Sequence, residues 1–173
     1  RLENIDGTRV GWINACAGDC KNLVIYLHGG GYCLGSLRTY RKFAQYLSRA
    51  SDSVVLLIDY RLAPEHPFPA ALQDCLKVYE HVLSQREFSP SQIVLGGDSA
   101  GGGLSLSTAL ALRDAGVPLP KALFALSPWA DLTCSGTSIK ANAAVDFLMN
   151  EPWLKSMAKH YVSDDTQRRS ALA

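Results

Sequence analysis

The sequence has no excess of either charge. Seventeen basic side chains stand against 16 acidic ones in 173 residues, a formal net charge of +1, and no basic run exceeds a pair such as Arg41-Lys42 or Arg168-Arg169. Nucleic-acid and membrane-surface binding therefore have no electrostatic support. Long apolar runs are missing too. Runs such as Val54 to Ile58 and Ala122 to Leu126 fall far short of the ~20 residues that span a bilayer. No secretory signal, internal repeat or low-complexity linker is visible. Cysteine is sparse: Cys16, Cys20, Cys33, Cys75 and Cys134 are odd in number and scattered, unlike a disulfide scaffold, which points to a reducing, cytoplasmic setting. Only Cys16 and Cys20 are close, and no second Cys/His pair at zinc-ligand spacing accompanies them, so a metal site is not expected. The cysteines read mainly as small core or loop residues, with a Cys16–Cys20 disulfide the lesser alternative. What is present is a 47% hydrophobic fraction. That is enough for one globular domain with a real core, and it excludes disorder.

Along the chain, short apolar runs alternate with helix-period segments. Leu23 to Leu27, Val54 to Ile58, Ile93 to Leu95 and Ala122 to Leu126 read as strands buried on both faces. Between them, Tyr40, Phe43, Ala44 and Leu47 recur at helical spacing, as do Ala71, Cys75, Val78 and Val82, and Leu104 to Leu112 reads as a third helix. Strands alternating with helices predict an α/β fold with a parallel sheet and right-handed crossovers. From Ser135 the rhythm breaks into two helical pieces, Ala141 to Phe147 and Glu151 to Tyr161. The second places Leu154, Met157 and Tyr161 on one face, with Pro152 suited to a first helical turn.

The third strand runs directly into Gly97-Asp98-Ser99-Ala100-Gly101, and a helix follows. This is a G-x-S-x-G elbow in its strand-turn-helix context. A serine in a strained turn tolerates no bulk two residues away, so Gly97 and Gly101 clear space for it. The helix that follows aims its first amides at the place where an oxyanion would form. At this chain's own composition such a motif is expected about 0.1 times by chance, whereas His28-Gly29-Gly30-Gly31, closing the first apolar strand, is expected only about 0.002 times. Consecutive glycines leave backbone amides uncovered. Both clusters fall at carboxyl ends of strands, where open α/β sheets bind ligands. The other reading of the elbow, a phosphate cradle, lacks the G-x-x-x-x-G-K-[ST] that would support it.

His28-Gly29-Gly30-Gly31-Tyr32, the run Tyr60 to Ala71, Gly97 to Gly102 and Ser127-Pro128-Trp129 resemble the hormone-sensitive-lipase-like serine esterases, the microbial group called family IV. The resemblance implies an α/β-hydrolase fold, a parallel sheet flanked by helices with part of a helical cap. Residues 1–134 would be a partial core, and 135–173 a cap-like segment that is not an independent domain. It implies hydrolysis of short- to medium-chain carboxylic esters, with Ser99 as nucleophile. The amides of Ala100, Gly30 and Gly31 would be oxyanion donors, with Gly29 a further candidate. It implies no cofactor or metal. The partner is a small-molecule ester, with no nucleic acid and no membrane span, and a homodimer is left open.

In that family an acid and then a histidine follow the serine, each after a later strand. Only one strand follows Ser99, so the catalytic Asp and His are expected beyond residue 173, and the chain, opening on Arg1 instead of Met, is expected to be truncated at both ends. An internal triad would need His160 with Asp131, Asp146, Asp164 or Asp165, but His160 reads as a helix-surface residue. His28 is expected to order the glycine loop, Asp98 to hold the elbow turn, and Arg61 with Glu65 to tie down the proline-rich loop. His66 and His81 read as turn and helix residues. Tyr32, Trp129 and the tail are expected to shape the pocket. Two rival readings stand: a non-catalytic hormone receptor on this scaffold, like the plant gibberellin receptors, or an inert fragment.

Overall fold

A computed structural model of the protein describes residues 1–85, 87–164, 166–170 and 172. β1 (Leu2–Ile5) and β2 (Thr8–Ile13) open the chain. β3 (Leu23–Leu27), α1 (Leu37–Ser51), β4 (Val54–Asp59), α2 (Ala70–Gln85), β5 (Ile93–Asp98), α3 (Ser99–Asp114) and β6 (Ala122–Leu126) then alternate strictly, followed by α4 (Thr137–Ala141) and α5 (Glu151–Tyr161). The strands form one sheet in the order β1-β2-β4-β3-β5-β6. The expected parallel part is there: β4, β3, β5 and β6 pair in parallel.

The sheet as a whole is mixed, because two strands beyond those expected from the sequence precede the parallel part. β1 and β2 form a hairpin that adds antiparallel to β4. Its turn is the dipeptide Asp6-Gly7, with φ of 48° and 90°, the pair of positive dihedrals that a tight two-residue hairpin requires. The first tail helix also differs. It spans Thr137–Ala141, not Ala141 to Phe147, because the apolar residues of that stretch turn outward: Val145, Phe147 and Leu148 are exposed. α5 lies where the spacing predicts it, with Asn150 accepting a hydrogen bond from the Trp153 amide and Pro152 in the first turn.

Alternation along the central strands distributes the core. Leu23, Ile25 and Leu27 pack on one face with Leu56, Ile58 and Leu95, against Val78 and Tyr79 of α2 and Leu104 of α3. Val24 and Tyr26 face the other way and pack with Val55 and Leu57 against Leu37 and Ala44 of α1. Each fully buried aliphatic side chain contributes about 2 kcal/mol. α1 begins with a capping box, Ser36 accepting from the Thr39 amide and Thr39 from the Ser36 amide, and ends at Asp52 in the left-handed region, φ 47°.

Cys16 and Cys20 are joined as a disulfide, the lesser of the two readings of this pair. The short loop between β2 and β3 returns on itself and brings their Cα atoms to 6.3 Å, within disulfide reach. Cys33, Cys75 and Cys134 are free. Among the described residues, no helix is long and apolar enough to cross a membrane.

Candidate active site

β5 ends at Asp98 with an extended backbone, and α3 starts at once at Ser99, whose φ is +52°. A non-glycine residue there is strained by roughly 1–3 kcal/mol, a cost tolerated where the surroundings over-determine it. The surroundings here are the end of β3, which pairs directly with β5. A Cβ at Gly101 would collide with the carbonyl oxygens of Leu27 and His28, so only glycine lets the first turn of α3 sit against β3. The Ser99 side chain is partly exposed, and among the described residues no group hydrogen-bonds its hydroxyl.

β3 meanwhile runs into the glycine loop. Gly30 has φ +128°, and a Cβ on it would drive into the backbone of Leu34. Its carbonyl accepts from the amides of Cys33, at 3.1 Å, and Leu34, at 2.9 Å, closing a tight turn. The three glycine amides are not equivalent. Gly29 donates to Asp98 Oδ1, at 3.0 Å, and to the Tyr40 hydroxyl, at 3.1 Å. This engagement sets Gly29 apart from Gly30, Gly31 and Ala100, the other expected donors: its N–H is bonded within the loop. Among the described residues, no acceptor engages the amides of Gly30, Gly31 or Ala100, the last being a first-turn helix amide without an intrahelical partner.

Asp98 joins the two segments. Its Oδ1 accepts from the Tyr26 hydroxyl, at 2.9 Å, as well as from Gly29, and its Oδ2 accepts from the Tyr40 hydroxyl at 2.7 Å. Burial, and then the Asp98 charge, push the Tyr26 hydroxyl well above its ordinary range. Burial and the Asp98 hydrogen bond raise Tyr40 to about 12. Both phenols therefore stay protonated as donors. The residue before the serine thus fixes the glycine loop relative to the elbow, a wider role than holding the turn. Tyr26 and Tyr40 read in the sequence only as apolar strand and helix positions.

His28 is buried. Its Nδ1 meets the Gly29 carbonyl at 2.9 Å, its ring stacks on Tyr60 with centroids 4.3 Å apart, and the Tyr60 hydroxyl donates to its carbonyl at 2.6 Å. Burial lowers its pKa, and its Nε2 has no partner among the described residues. This is a neutral ring bracing the glycine loop.

The tail returns to the same loop. Met157 of α5 lies over Gly31, where a Cβ would strike its sulphur. The Tyr161 carbonyl accepts from the Phe68 amide at 2.7 Å. Tyr32 departs from its expected place in the pocket wall: 1% exposed, it stacks on Tyr161 with centroids 3.7 Å apart, as a core residue. The Trp129 amide donates to the Ser99 carbonyl at 2.8 Å and keeps that segment beside the elbow. Arg61 binds buried Asp74 through both its backbone and its side chain and reaches the Ala70 carbonyl, tying down the proline-rich loop, while Glu65 is exposed.

The other histidines lie where the sequence puts them, His66 in the loop before α2, His81 on α2 and His160 exposed on α5. None of the described candidate acids bonds His160. Asp131 is taken up by Thr133 and Ser135, Asp146 by the amides of Leu148 and Met149, and Asp164 by that of Thr166. Asp165 lies outside the described residues. A cavity of about 840 Å³ opens between β2 and α1, lined by Trp12, Leu37, Arg38 and Arg41 among others. It shares no residue with the elbow or the glycine loop.

A family model described as the alpha/beta hydrolase fold matches residues 24–173. An acetyl-hydrolase of Streptomyces hygroscopicus is 41% identical over 157 residues, which are 91% of this chain and 52% of the relative. An esterase of Acinetobacter venetianus is 37% identical over 145 residues, 84% of this chain and 48% of that one. The crystal structure of an esterase from the bacterial hormone-sensitive lipase family superposes with a TM-score of 0.95 at 41% identity, covering 99% of this chain and 57% of its own. EstE5, whose crystal was soaked with p-nitrophenyl butyrate, gives 0.91 at 39% identity over 99% of this chain and 57% of that one. The chain spans about half the length of the curated relatives it matches. It belongs to the α/β-hydrolase fold family and, within it, is similar to the esterases of the hormone-sensitive lipase group.

Proposed function

We propose that the protein hydrolyses carboxylic esters of small, short- to medium-chain substrates, with Ser99 as the nucleophile. One observation carries the reading. Ser99 is raised on a strained turn at the carboxyl edge of β5, and three uncommitted amides, those of Gly30, Gly31 and Ala100, lie at that edge of β3 and β5. An ester oxygen that gains negative charge beside a nucleophile is stabilised by such donors.

In this reading the Ser99 oxygen attacks the ester carbonyl and the three amides hold the oxyanion. The alcohol leaves, and water then hydrolyses the acyl-enzyme. A histidine oriented by a carboxylate takes the serine proton. We assign both to the half of the relatives' length that these 173 residues do not span, because no histidine among the described residues bonds Ser99. Residues 135–173 act as a cap-like part of the same domain, which the seat of Met157 over Gly31 supports. We assign a cytoplasmic setting on three free cysteines against one disulfide. No observation favours the receptor reading, and the relatives' names are those of hydrolases.

The test is Ser99→Ala in the full-length protein, assayed on p-nitrophenyl butyrate, the ester soaked into the similar EstE5 crystal. Turnover should fall by about 10⁴- to 10⁶-fold, as on removal of a catalytic serine. Retention of more than about a tenth of the rate would sink the assignment.

A further inference from the structure

At the opposite edge of the sheet a second cluster has no part in that chemistry. Cys16 and Cys20 lie in the loop that precedes β3, and Asp52 lies just before β4. The two sulphurs and a carboxylate oxygen of Asp52 all fall within 4.8 Å of one another. The Asn14 side-chain oxygen lies 3.6 Å from the Cys20 sulphur. We propose that in the dithiol form Cys16, Cys20 and Asp52 hold a thiophilic divalent cation, with Zn²⁺ the best match, as a staple between the β2–β3 loop and the end of α1.

Asp52 is exposed, and its left-handed backbone caps the end of α1; the disulfide gives its side chain no partner. Its carboxylate stands at the carboxyl end of α1, where the helix dipole disfavours negative charge. Among the described residues it has neither a cation nor a hydrogen-bond donor as partner. A carboxylate beside two thiols also opposes their ionisation. One divalent cation removes all three costs, because it stabilises both thiolates and accepts the carboxylate as a third ligand. Zinc bonds of about 2.3 Å to sulphur at the tetrahedral angle set two sulphurs about 3.8 Å apart. The three donor atoms span that range once the sulphurs part. A fourth position falls to water or to the Asn14 oxygen. The spacing rule overlooks the site because its third ligand is neither Cys nor His and comes from the far end of α1.

The chemistry balances simply. A low-molecular-weight thiol reductant supplies two electrons and two protons to the disulfide and is itself oxidised. Metal binding then releases the two thiol protons and forms two metal–sulphur bonds. Disulfide and metal forms exclude each other, since both use the same sulphurs. The site lies a strand's length, about 16 Å for five residues, from the Ser99 edge. It is therefore structural, and it stands or falls independently of the esterase reading.

The protein, reduced anaerobically with a phosphine and shown by thiol titration to carry all five free thiols, would be titrated with Co²⁺. One equivalent should bind with a thiolate-to-cobalt charge-transfer band, and Zn²⁺ should displace it. The band should vanish in the Cys16→Ser/Cys20→Ser variant, and Asp52→Asn should weaken binding at least tenfold, on the order of losses at metal sites. A parallel measurement needs no variant: Zn²⁺ should protect Cys16 and Cys20 from alkylation, read by peptide mass spectrometry. Absence of the band in the fully reduced protein overturns the proposal. So does a band that survives the double substitution, unchanged affinity in Asp52→Asn, or equal alkylation with and without zinc.

Discussion

Replacing Asp98 by alanine tests whether the elbow and the glycine loop are one unit. Three donors share this carboxylate: the Tyr26 hydroxyl, the Gly29 amide and the Tyr40 hydroxyl. They are not equally exposed to its loss. Gly29 keeps the Tyr40 oxygen as an acceptor at 3.1 Å, and Tyr40 is partly exposed, so water replaces its partner. Tyr26 is 1% exposed, and among the described residues its hydroxyl has no other partner. Stranding its hydroxyl costs about 1–3 kcal/mol, and loss of a charge-assisted acceptor for the other two adds about 1–2 kcal/mol. The total is about 2–5 kcal/mol, read from urea midpoints. Asp98→Asn keeps one acceptor oxygen and should cost about 1–2 kcal/mol. Adding Tyr26→Phe to the alanine variant removes the stranded hydroxyl and should recover about 1 kcal/mol. Without the Asp98 tie between the elbow and Gly29 the glycine loop drifts, and a displacement of about 1 Å lowers kcat roughly 10²-fold. If Asp98→Ala lies within about 0.5 kcal/mol of the parent, the range of an ordinary surface substitution, and turns over at its rate, the carboxylate does not couple the two segments and the reasoning fails.

Gly30→Val should lower kcat about 10²- to 10³-fold, because a Cβ at φ +128° forces the loop and its amide away from the oxyanion. A folded variant with the parent rate removes Gly30 from the donors. His160→Ala in the full-length protein should leave turnover on p-nitrophenyl butyrate unchanged, since His160 is exposed on α5 and no described acid bonds it. A loss comparable to that of Ser99→Ala would close the triad internally. Burial raises the Asp131 pKa, but hydrogen bonds from Thr133 and Ser135 outweigh it and bring it down to about 2. Its contribution to stability is therefore complete above the ordinary carboxylate range and is lost as pH falls through about 2. Asp131→Asn should flatten that acid limb in urea titrations, and an unchanged slope would contradict the hydrogen-bond account.

What could be read from the residues depended on whether the signal was local. β3, β4 and β5 are buried on both sides or nearly so, and a strand of that kind shows itself as an unbroken apolar run. β6 shows the same run but corrects the expectation of two covered faces, since Ala122 and Leu126 at its ends are exposed and its middle is half-buried. The elbow and the glycine loop were legible for a steric reason. Gly101 and Gly30 occupy places where a Cβ meets backbone, and backbone cannot move aside. Two other elements escaped because the usual sign was reversed. β2 carries Arg9 and Gly11 between its buried residues, so no apolar run announces it, and only the Asp6-Gly7 turn marks the hairpin. Residues 141–148 look amphipathic, but a periodicity argument assumes that apolar side chains are buried, and Phe147 is 95% exposed.

The contacts that set the register of the site were beyond reach for a different reason. Asp98 meets Tyr26, Gly29 and Tyr40 across separations of 72, 69 and 58 positions, and no spacing rule spans such intervals. A serine on an elbow and a run of glycines each specify a conformation by themselves. Whether the uncommitted amides face the hydroxyl depends on how β3 and β5 are held together, and that is fixed by a carboxylate on one strand end bonded to an amide on the other. The same division explains the Cys16 and Cys20 loop, where a spacing rule judged two ligands alone while Asp52 completes the cluster only through the fold. Substitutions at the glycines should therefore fail wherever this fold is built. Substitutions at Asp98 should fail only through the partners that the fold brings to it, which is why the Tyr26→Phe recovery is the sharper measurement.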